Sequence, residues 1–242
     1  MYNSFNMKRI IVLFFAVLLA GQAWADYDFY ATCSSGQILY YKILNNSESN
    51  SVRVTCPGLN GGYYGYTKPS GELVIPETVN YGGVNYSVTE IGPHAFSYCN
   101  DLLSVTIPSS VTSIYSGAFE DCNNLKKAEY ASIESLCSIY FWSEYSNPLK
   151  LAQHLYINGS EITKIAIPNS VTSIGAHAFE NCTSLTSITI PNSVTKIGYE
   201  PFKDCINLTL YCQAKVTHSG WGGSSWNPSD CPVVWGATDK FK

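Results

Sequence analysis

The residues that could carry chemistry in this chain are its 9 cysteines and 4 histidines. Cys99 and Cys122 lie 23 residues apart, and Cys182 and Cys205 repeat the same interval. Zinc sites instead use cysteines in close pairs, about two to four residues apart, and the sequence has no such pair. A free cysteine behaves as a small buried hydrophobe with a weak donor. We therefore interpret the regularly spaced cysteines as buried thiols, and we predict no metal site and no cofactor.

The histidines do not form a catalytic pattern either. One repeat position, two residues before a recurring Phe, is filled in different copies by His94, Gly117, His177 and Glu200. A position that accepts Gly, Glu and His is expected to be exposed rather than part of a ligand set. His154 and His218 have no Ser or Cys partner in a recognisable motif, and phosphate loops and H-E-x-x-H are absent from the sequence. We predict no catalytic residues.

These side chains lie in a sequence pattern that repeats every 23 residues. ITKIAIPNSVTSIGAHAFENCTS (162–184) is followed directly by LTSITIPNSVTKIGYEPFKDCIN (185–207), and LLSVTIPSSVTSIYSGAFEDCNN (102–124) is a third copy. The period falls in the range of leucine-rich repeats. Another copy starts at Leu73, and the copy that starts at Leu125 departs from the pattern over about 131–154. There a short helix is expected with Ile133, Leu136, Cys137 and Tyr140 on one face, ended by Asn147-Pro148-Leu149.

Each repeat predicts one coil of a solenoid. The L-x-x-I-x-I segment alternates, so Ile188 and Ile190 should face the core of a strand that Pro191 ends. Val194 and Ile197 make a second buried pass, and the ring of Phe179 fills the turn of the preceding coil. Stacked coils share one core that a single coil cannot bury. The sequence therefore predicts a β-rich solenoid with short helical turns and a parallel strand ladder over residues 72–211.

Two segments outside the repeat are expected to close the ends of this solenoid, because an open end exposes apolar core. Residues 26–71 contain two strand patterns, SGQILYYKILNN and SVRVTCPG, joined by the polar turn Asn45-Asn46-Ser47. Residues 212–242 are rich in Trp and Gly. Two disulfides, Cys33–Cys56 and Cys212–Cys231, are predicted because these cysteines lie outside the repeat position. Trp221, Trp226 and Trp235 of the tail fit either a folded cap or a sugar-stacking platform.

Residues 1–25 have the pattern of a signal peptide, with Lys8 and Arg9, an apolar run, and cleavage expected after Ala25. Removing those two basic residues leaves 12 Lys+Arg against 18 Asp+Glu, a net charge of −6. This acidic balance argues against nucleic acid, which needs a clustered basic face. No later segment is apolar enough to cross a membrane, so a secreted or cell-surface monomer is expected.

The exposed side of the first strand of each coil is the candidate binding face, because solenoids bind partners there. Its side chains flank the core positions: Ser104, Thr106, Lys127, Glu129, Tyr156, Lys164, Ala166, Ser187 and Thr189. The row is polar, and Tyr156 is its expected anchor because a tyrosine is rigid and amphipathic. A merely solvated sheet face is an equally good interpretation of the same pattern.

The motif L-x-x-I-x-I-P-x-S-V-T-x-I-G-x-x-A-F-x-x-C resembles the BspA-type leucine-rich repeat of exported bacterial and some protist surface proteins. Tyr115, in place of the Gly of the pattern, is one of a few departures. The resemblance implies a right-handed solenoid and a role in adhesion or binding. We expect a non-enzymatic protein that recognises a protein or glycan at a cell surface. The alternative is a carbohydrate-binding module that uses the aromatic-rich ends; an enzyme ranks third.

Overall fold

The computed structural model describes residues 27–44, 50–58, 62–63 and 65–238. The predicted signal peptide and the predicted turn at Asn45-Asn46-Ser47 lie outside these residues. The strands are β1 (Phe29–Thr32), β2 (Ile38–Leu44), β3 (Ser51–Thr55), β4 (Gly71–Val74), β5 (Thr78–Tyr81), β6 (Val84–Ile91), β7 (Leu102–Ile107), β8 (Ser113–Ile114), β9 (Lys127–Tyr130), β10 (Tyr140–Phe141), β11 (Leu155–Ile157), β12 (Ser160–Glu161), β13 (Lys164–Ala166), β14 (Ser173–Ile174), β15 (Ser187–Ile190), β16 (Lys196–Ile197), β17 (Thr209–Cys212), β18 (Gly220–Trp221) and β19 (Val233–Trp235). The helices are α1 (Ile133–Ser138) and α2 (Leu149–Ala152), with 3-10 turns at Glu144–Ser146 and Gly223–Trp226.

Each coil contributes a first and a second strand, and both stack in parallel on those of the next coil. The first strands form two ladders, β4-β7-β9-β11 and β13-β15-β17-β19. The second strands also form two, β3-β6-β8-β10 and β14-β16-β18. The predicted parallel strand ladder is confirmed, but it is divided into an N-terminal and a C-terminal half on both sides of the coil.

The core lies between the two kinds of strand, as the alternation predicts. Ile188 and Ile190 are 0% and 1% exposed, and β15 ends at Ile190, immediately before Pro191. Phe179 and Phe202 stack with ring centroids 5.9 Å apart. Identical positions of successive coils therefore pack on one another, so the core continues from coil to coil.

The segment at 131–154 is a divergent coil rather than a departure from the stack. Ser132 caps α1 in a capping box with Ser135, and the helix ends at Ser138, before Tyr140, which the prediction placed on the helix. The chain then alternates, with Ile139 and Phe141 buried and Tyr140 58% exposed, and β10 pairs in parallel with β8. This period of two is that of a strand, which overrides the helical pattern read from the sequence.

Asn147-Pro148-Leu149 also differs from its prediction, because it begins a helix instead of ending one. Pro148 immediately precedes α2. Proline is favoured at the start of a helix, where its fixed φ suits the turn and its missing N–H costs nothing. The short helix then leads into β11, which pairs in parallel with β9 and so returns the chain to the ladder.

The segments that flank the repeats join the same sheets. β2 pairs antiparallel with both β1 and β3, and β3 pairs in parallel with β6. At the other end, β18 pairs with β16 and β19 pairs with β17, both in parallel. The indole of Trp221 donates a hydrogen bond to the Val194 carbonyl at 3.1 Å. Within the described ranges, no helix is both long and apolar enough to cross a lipid bilayer.

Candidate binding surface

The parallel register brings part of the predicted binding face together on β7, β9 and β11. Ser104 lies opposite Lys127, and Thr106 lies opposite Glu129. Glu129 in turn lies opposite Tyr156 of the next strand. These five side chains share one face because partners in a parallel ladder point to the same side of the sheet.

Lys127, Glu129 and Tyr156 form a connected group at the centre of this face. The Lys127 ammonium lies 2.8 Å from a Glu129 carboxylate oxygen and 4.7 Å from the centre of the Tyr156 ring. The backbone N–H of Gly159 donates to the other Glu129 oxygen at 2.6 Å. Burial alone would raise the pKa of Glu129, but the hydrogen bonds from Lys127 and Gly159 outweigh it and lower the pKa. The carboxylate is therefore held charged and fixed in orientation.

The hairpin between β11 and β12 completes this group. Asn158 and Gly159 both have positive φ, 50° and 75°, which suits the two-residue turn of a tight hairpin. The turn carries the Gly159 N–H to Glu129 and places Glu161 of β12 opposite Tyr156. His154 lies 2.6 Å from a Glu161 oxygen. We call the five residues Lys127, Glu129, His154, Tyr156 and Glu161 the central patch.

The remaining predicted face residues belong to a different sheet. Lys164 and Ala166 are exposed on β13 and lie opposite Ser187 and Thr189 of β15. Ser187 and Thr189 are only 6% and 5% exposed, so these two do not offer a binding surface. The ladder is interrupted because β12 pairs with the edge of β11 that the next coil would otherwise extend. The sequence pattern did not reveal this break, although the Asn-Gly turn that causes it was visible.

The position occupied by His94 and His177 is defined by its backbone and not by exposure. His94, Gly117, His177 and Glu200 all have positive φ, between 50° and 66°. The His177 side chain is only 12% exposed and lies 2.7 Å from a carboxylate oxygen of Glu180, whose side chain is fully buried. The prediction of a uniformly exposed position is therefore wrong for His177. The glycine among the four was the clue, because glycine favours this backbone region.

The buried Glu180 is the centre of an ion cluster that ties the divergent coil to the coils after it. Lys150 lies 3.1 Å from Glu180 and also contacts Glu144, while Lys203 lies 4.0 Å from Glu180. Burial would lower the pKa of Lys150, but its hydrogen bonds to Glu144 and Glu180 raise it instead. The hydrogen bond from Lys150 is the main cause of the lowered pKa of Glu144. This arrangement suits a structural role, since each charge is paired.

The cysteines of the repeat are buried thiols, as predicted. The Cys122 thiol donates to the Phe96 carbonyl at 3.0 Å, and the Cys205 thiol donates to the Phe179 carbonyl at 2.9 Å. Burial raises the pKa of Cys99 and of Cys122 to about 12. In the part of the chain that the structure covers, no group of three or more His, Cys, Asp or Glu is placed to hold a metal ion.

Neither predicted disulfide is formed, since all 9 cysteines are free. Cys33 follows β1 and Cys56 follows β3, with β2 between them. Two strand spacings, about 9.6 Å, exceed the Cα separation of about 7 Å that a disulfide tolerates. Cys212 pairs with Trp235, so it lies four residues along the strand from Cys231, about 13 Å. The Cys231 thiol instead donates to the Cys205 carbonyl at 3.7 Å and continues the row of repeat thiols.

The tryptophans of the tail pack against the last coil. Trp221 and Trp226 are 4% and 7% exposed, and Trp235 is 38% exposed. The rings of Trp221 and Trp226 lie 4.8 Å apart, and Trp226 packs edge-on against Phe202 at 6.4 Å. Two of the three rings are therefore enclosed and have little surface left for a sugar.

Comparison with known proteins gives a family match over more than half of the chain. The family model described as "BspA type Leucine rich repeat region (6 copies)" matches residues 78–155 and 149–220. No curated protein matches the chain.

Several solved structures are similar to this chain. A leucine-rich cell surface protein from Faecalibacterium prausnitzii is 23% identical, with a TM-score of 0.42, over 77% of this chain and 55% of that one. This chain thus spans little more than half the length of that relative. A leucine-rich repeat protein from Bacteroides capillosus is 25% identical, with a TM-score of 0.38, over 76% of this chain and 99% of that one. The pneumococcal vaccine antigen PcpA is 22% identical, with a TM-score of 0.33, over 81% of this chain and 51% of that one.

Proposed function

Because this chain belongs to the BspA-type leucine-rich repeat family, we propose that it is an exported, non-enzymatic binding protein that recognises a protein at a cell surface. The observation that carries the proposal is the central patch. It joins an aromatic ring to charges of both signs, held by the Lys127–Glu129 ion pair and the Lys127–Tyr156 contact. Tyrosines held in this way are typical anchors of protein interfaces.

Charge complementarity supports a protein partner. Lys127, Glu129 and Glu161 present opposite charges within one face, which fits a surface of mixed charge better than a uniformly charged polymer. The patch interrupts the rows of Ser and Thr seen at Ser104 and Thr106. A uniform row would offer a partner the same contacts at every register, whereas the central patch can hold the partner in a single register.

The non-enzymatic part of the proposal is supported by what the histidines contact. His177 is paired with the buried Glu180, and His154 is paired with Glu161 on the hairpin. Both contacts order the surrounding structure. The alternative of a carbohydrate-binding module that uses the aromatic-rich ends finds less support at the tail, because Trp221 and Trp226 are buried.

The architecture proposed for this function is a right-handed solenoid over residues 72–211, closed by residues 26–71 and 212–242. Connections between parallel strands of one sheet are right-handed in nearly all proteins. The parallel pairing of β3 with β6, and of β18 and β19 with the last coils, supports the closing role of the end segments. Export is supported by the signal-peptide pattern of residues 1–25.

The proposal is tested by measuring binding of the mature chain to a panel of purified extracellular-matrix and cell-surface proteins by biolayer interferometry. We expect at least one to bind, and we expect Tyr156→Ala to weaken that binding. Tyr98→Asn is the matched control, because Tyr98 is 53% exposed, lies away from the central patch, and has a φ of 59° that asparagine tolerates. Equal loss in both variants, or no binding by the wild type, contradicts the proposal.

A further inference from the structure

Two aromatic residues, the half-buried Tyr115 and the exposed Trp142, stand in a row that the repeat elsewhere fills with glycine. The row follows the buried residue of each second strand and contains Gly92, Tyr115, Trp142, Gly175, Gly198 and Gly222. Ile91 pairs with Ile114, and Ile114 pairs with Phe141, so Tyr115 and Trp142 come from adjacent strands. Their rings stack with centroids 5.0 Å apart and an interplanar angle of 13°.

The glycine at position 92 lets an arginine brace this stack. A Cβ on Gly92 would lie 2.9 Å from the Cδ of Arg53, so only glycine leaves room for that side chain. The Arg53 guanidinium lies 4.4 Å from the centre of the Tyr115 ring, and its Nε donates to Glu90 at 2.7 Å. A cation over an aromatic face is attracted by the ring quadrupole. Successive contacts from Glu90 to Arg53, from Arg53 to Tyr115 and from Tyr115 to Trp142 therefore hold the tryptophan ring in place without a ligand.

The outer end of the stack is open to solvent. Trp142 is 55% exposed and Tyr140 is 58% exposed, and their rings meet edge-on at 5.2 Å. The next glycine of the row, Gly175, does not follow Trp142 in a ladder: its N–H donates to the Cys137 carbonyl at 3.0 Å, and β14 belongs to a different sheet from β10. Trp142 and Tyr140 together form an exposed aromatic patch, and such patches mark binding sites.

A hydroxyl-lined cleft of about 460 Å³ lies between α1 and residues 170–173 of the next coil, shortly before β10 in the chain. Its lining residues include Ser132, Glu134, Ser135, Ser138, Ser170, Thr172 and Ser173. Ser138, Tyr140 and Trp142 are all exposed, and they alternate with the buried Ile139 and Phe141. Ser138 ends α1 and lines the cleft, and Tyr140 and Trp142 follow it closely, so the cleft and the two rings are neighbours along the chain.

We propose that Tyr140, Trp142 and this cleft bind a neutral oligosaccharide. The apolar C–H face of a sugar ring suits the electron-rich face of an aromatic ring. Sugar hydroxyls can exchange hydrogen bonds with the serine and threonine hydroxyls and donate to the Glu134 carboxylate. An apolar peptide fits less well, because the cleft is lined mainly by polar side chains. This site lies on the second strands and is separate from the central patch, so it stands or falls independently of the proposed function.

The test is affinity electrophoresis of the mature chain through gels that contain β-glucan, xyloglucan, mannan or galactan, followed by calorimetric titration with oligosaccharides of whichever retards it. We expect at least one of these neutral polysaccharides to retard the wild type. Trp142→Ala should weaken binding at least tenfold, and Trp142→Phe should restore part of it. Ser138→Arg, at an exposed position, should weaken binding by blocking the cleft without removing a ring.

Trp235→Phe is the control, because Trp235 is an exposed tryptophan at the far end of the chain, and it should bind as the wild type does. Thermal melting of each variant separates loss of the site from loss of the fold. Lack of retardation in all four gels would overturn the proposal. Folded Trp142→Ala and Ser138→Arg variants that bind as tightly as the wild type would also overturn it. If Trp142→Ala and Ser138→Arg lose a protein partner but keep polysaccharide binding, Tyr140, Trp142 and the cleft dock a protein and the proposal is wrong.

Discussion

The hydroxyl of Tyr130 donates a hydrogen bond of 2.7 Å to the side-chain oxygen of Asn147, at a point where both residues are 1% exposed. The same oxygen accepts from the Leu149 N–H, and the Asn147 amide donates to the carbonyls of His177 and Ala178 at 2.8 and 2.9 Å. One buried asparagine thereby joins β9, the start of α2 and the following repeat coil. All of its hydrogen-bonding capacity is used.

Asn147→Asp is therefore expected to destabilise the fold strongly. The change keeps the shape but removes both donors and places a carboxylate beside two carbonyls, and each buried group left unsatisfied costs about 1–3 kcal/mol. Urea unfolding measures the loss. Asn169→Asp, at an exposed repeat turn, should be nearly silent, and a comparable loss there would show that Asn147 is not special.

Phe179→Ala should lower the free energy of unfolding by about 3–5 kcal/mol, since the ring is fully buried and leaves a cavity. The ring stacks on Phe202, so the two positions should not be additive when both are changed. Chemical denaturation of the two single variants and the double variant checks this. Strict additivity would mean that the rings do not share one core.

His177→Ala is expected to destabilise the protein more than His94→Ala, because His177 covers the buried Glu180 carboxylate. His94 is 44% exposed at the side chain and lies 3.4 Å from Glu120, which is itself solvent-accessible. Melting temperatures of the two variants give the comparison. An equal change in both would contradict the role assigned to Glu180.

Acid should weaken the tie between the divergent coil and the later coils. The hydrogen bond from Lys150 lowers the pKa of Glu144 below its usual 4.5, so the folded state binds this proton less readily than the unfolded state does. The resulting stabilisation is present above pH 4.5 and is lost as the pH falls through the lower, folded pKa. Lys150→Met should reduce this loss of unfolding free energy at acid pH, as measured by urea unfolding at a series of pH values. An unchanged pH dependence would show that Glu144 does not contribute to it.

The native protein should resist thiol reagents. Burial raises the pKa of Cys182 to about 11 and that of Cys212 to about 12, so little thiolate forms near neutral pH. We expect slow labelling by iodoacetamide in the folded state and complete labelling of free thiols after unfolding without reductant. Mass spectrometry of the peptides counts the modified cysteines. A Cys212–Cys231 cross-link in non-reduced protein would require a tail arranged differently from the one described here.

Much of the fold follows from the sequence because the same local pattern of apolar residues, proline and glycine recurs every 23 residues. The alternation around Ile188 and Ile190 determines which side of the strand is buried, and Pro191 determines where the strand stops. The ring position at Phe179 follows in the same way. These features depend on neighbours a few residues away, so a single repeat contains the information needed to predict them.

Only the tertiary structure decided the features that depend on contacts between coils. Arg53 and Tyr115 meet because the space over Gly92 is empty, and no local pattern links two residues so far apart in sequence. His177 became partly buried because of Glu180, Lys150 and the divergent coil, although its repeat position looked exposed. The burial of Ser187 and Thr189 and the break at β12 are of the same kind. The repeat determines which way a side chain points, whereas the neighbouring coils determine what it meets there.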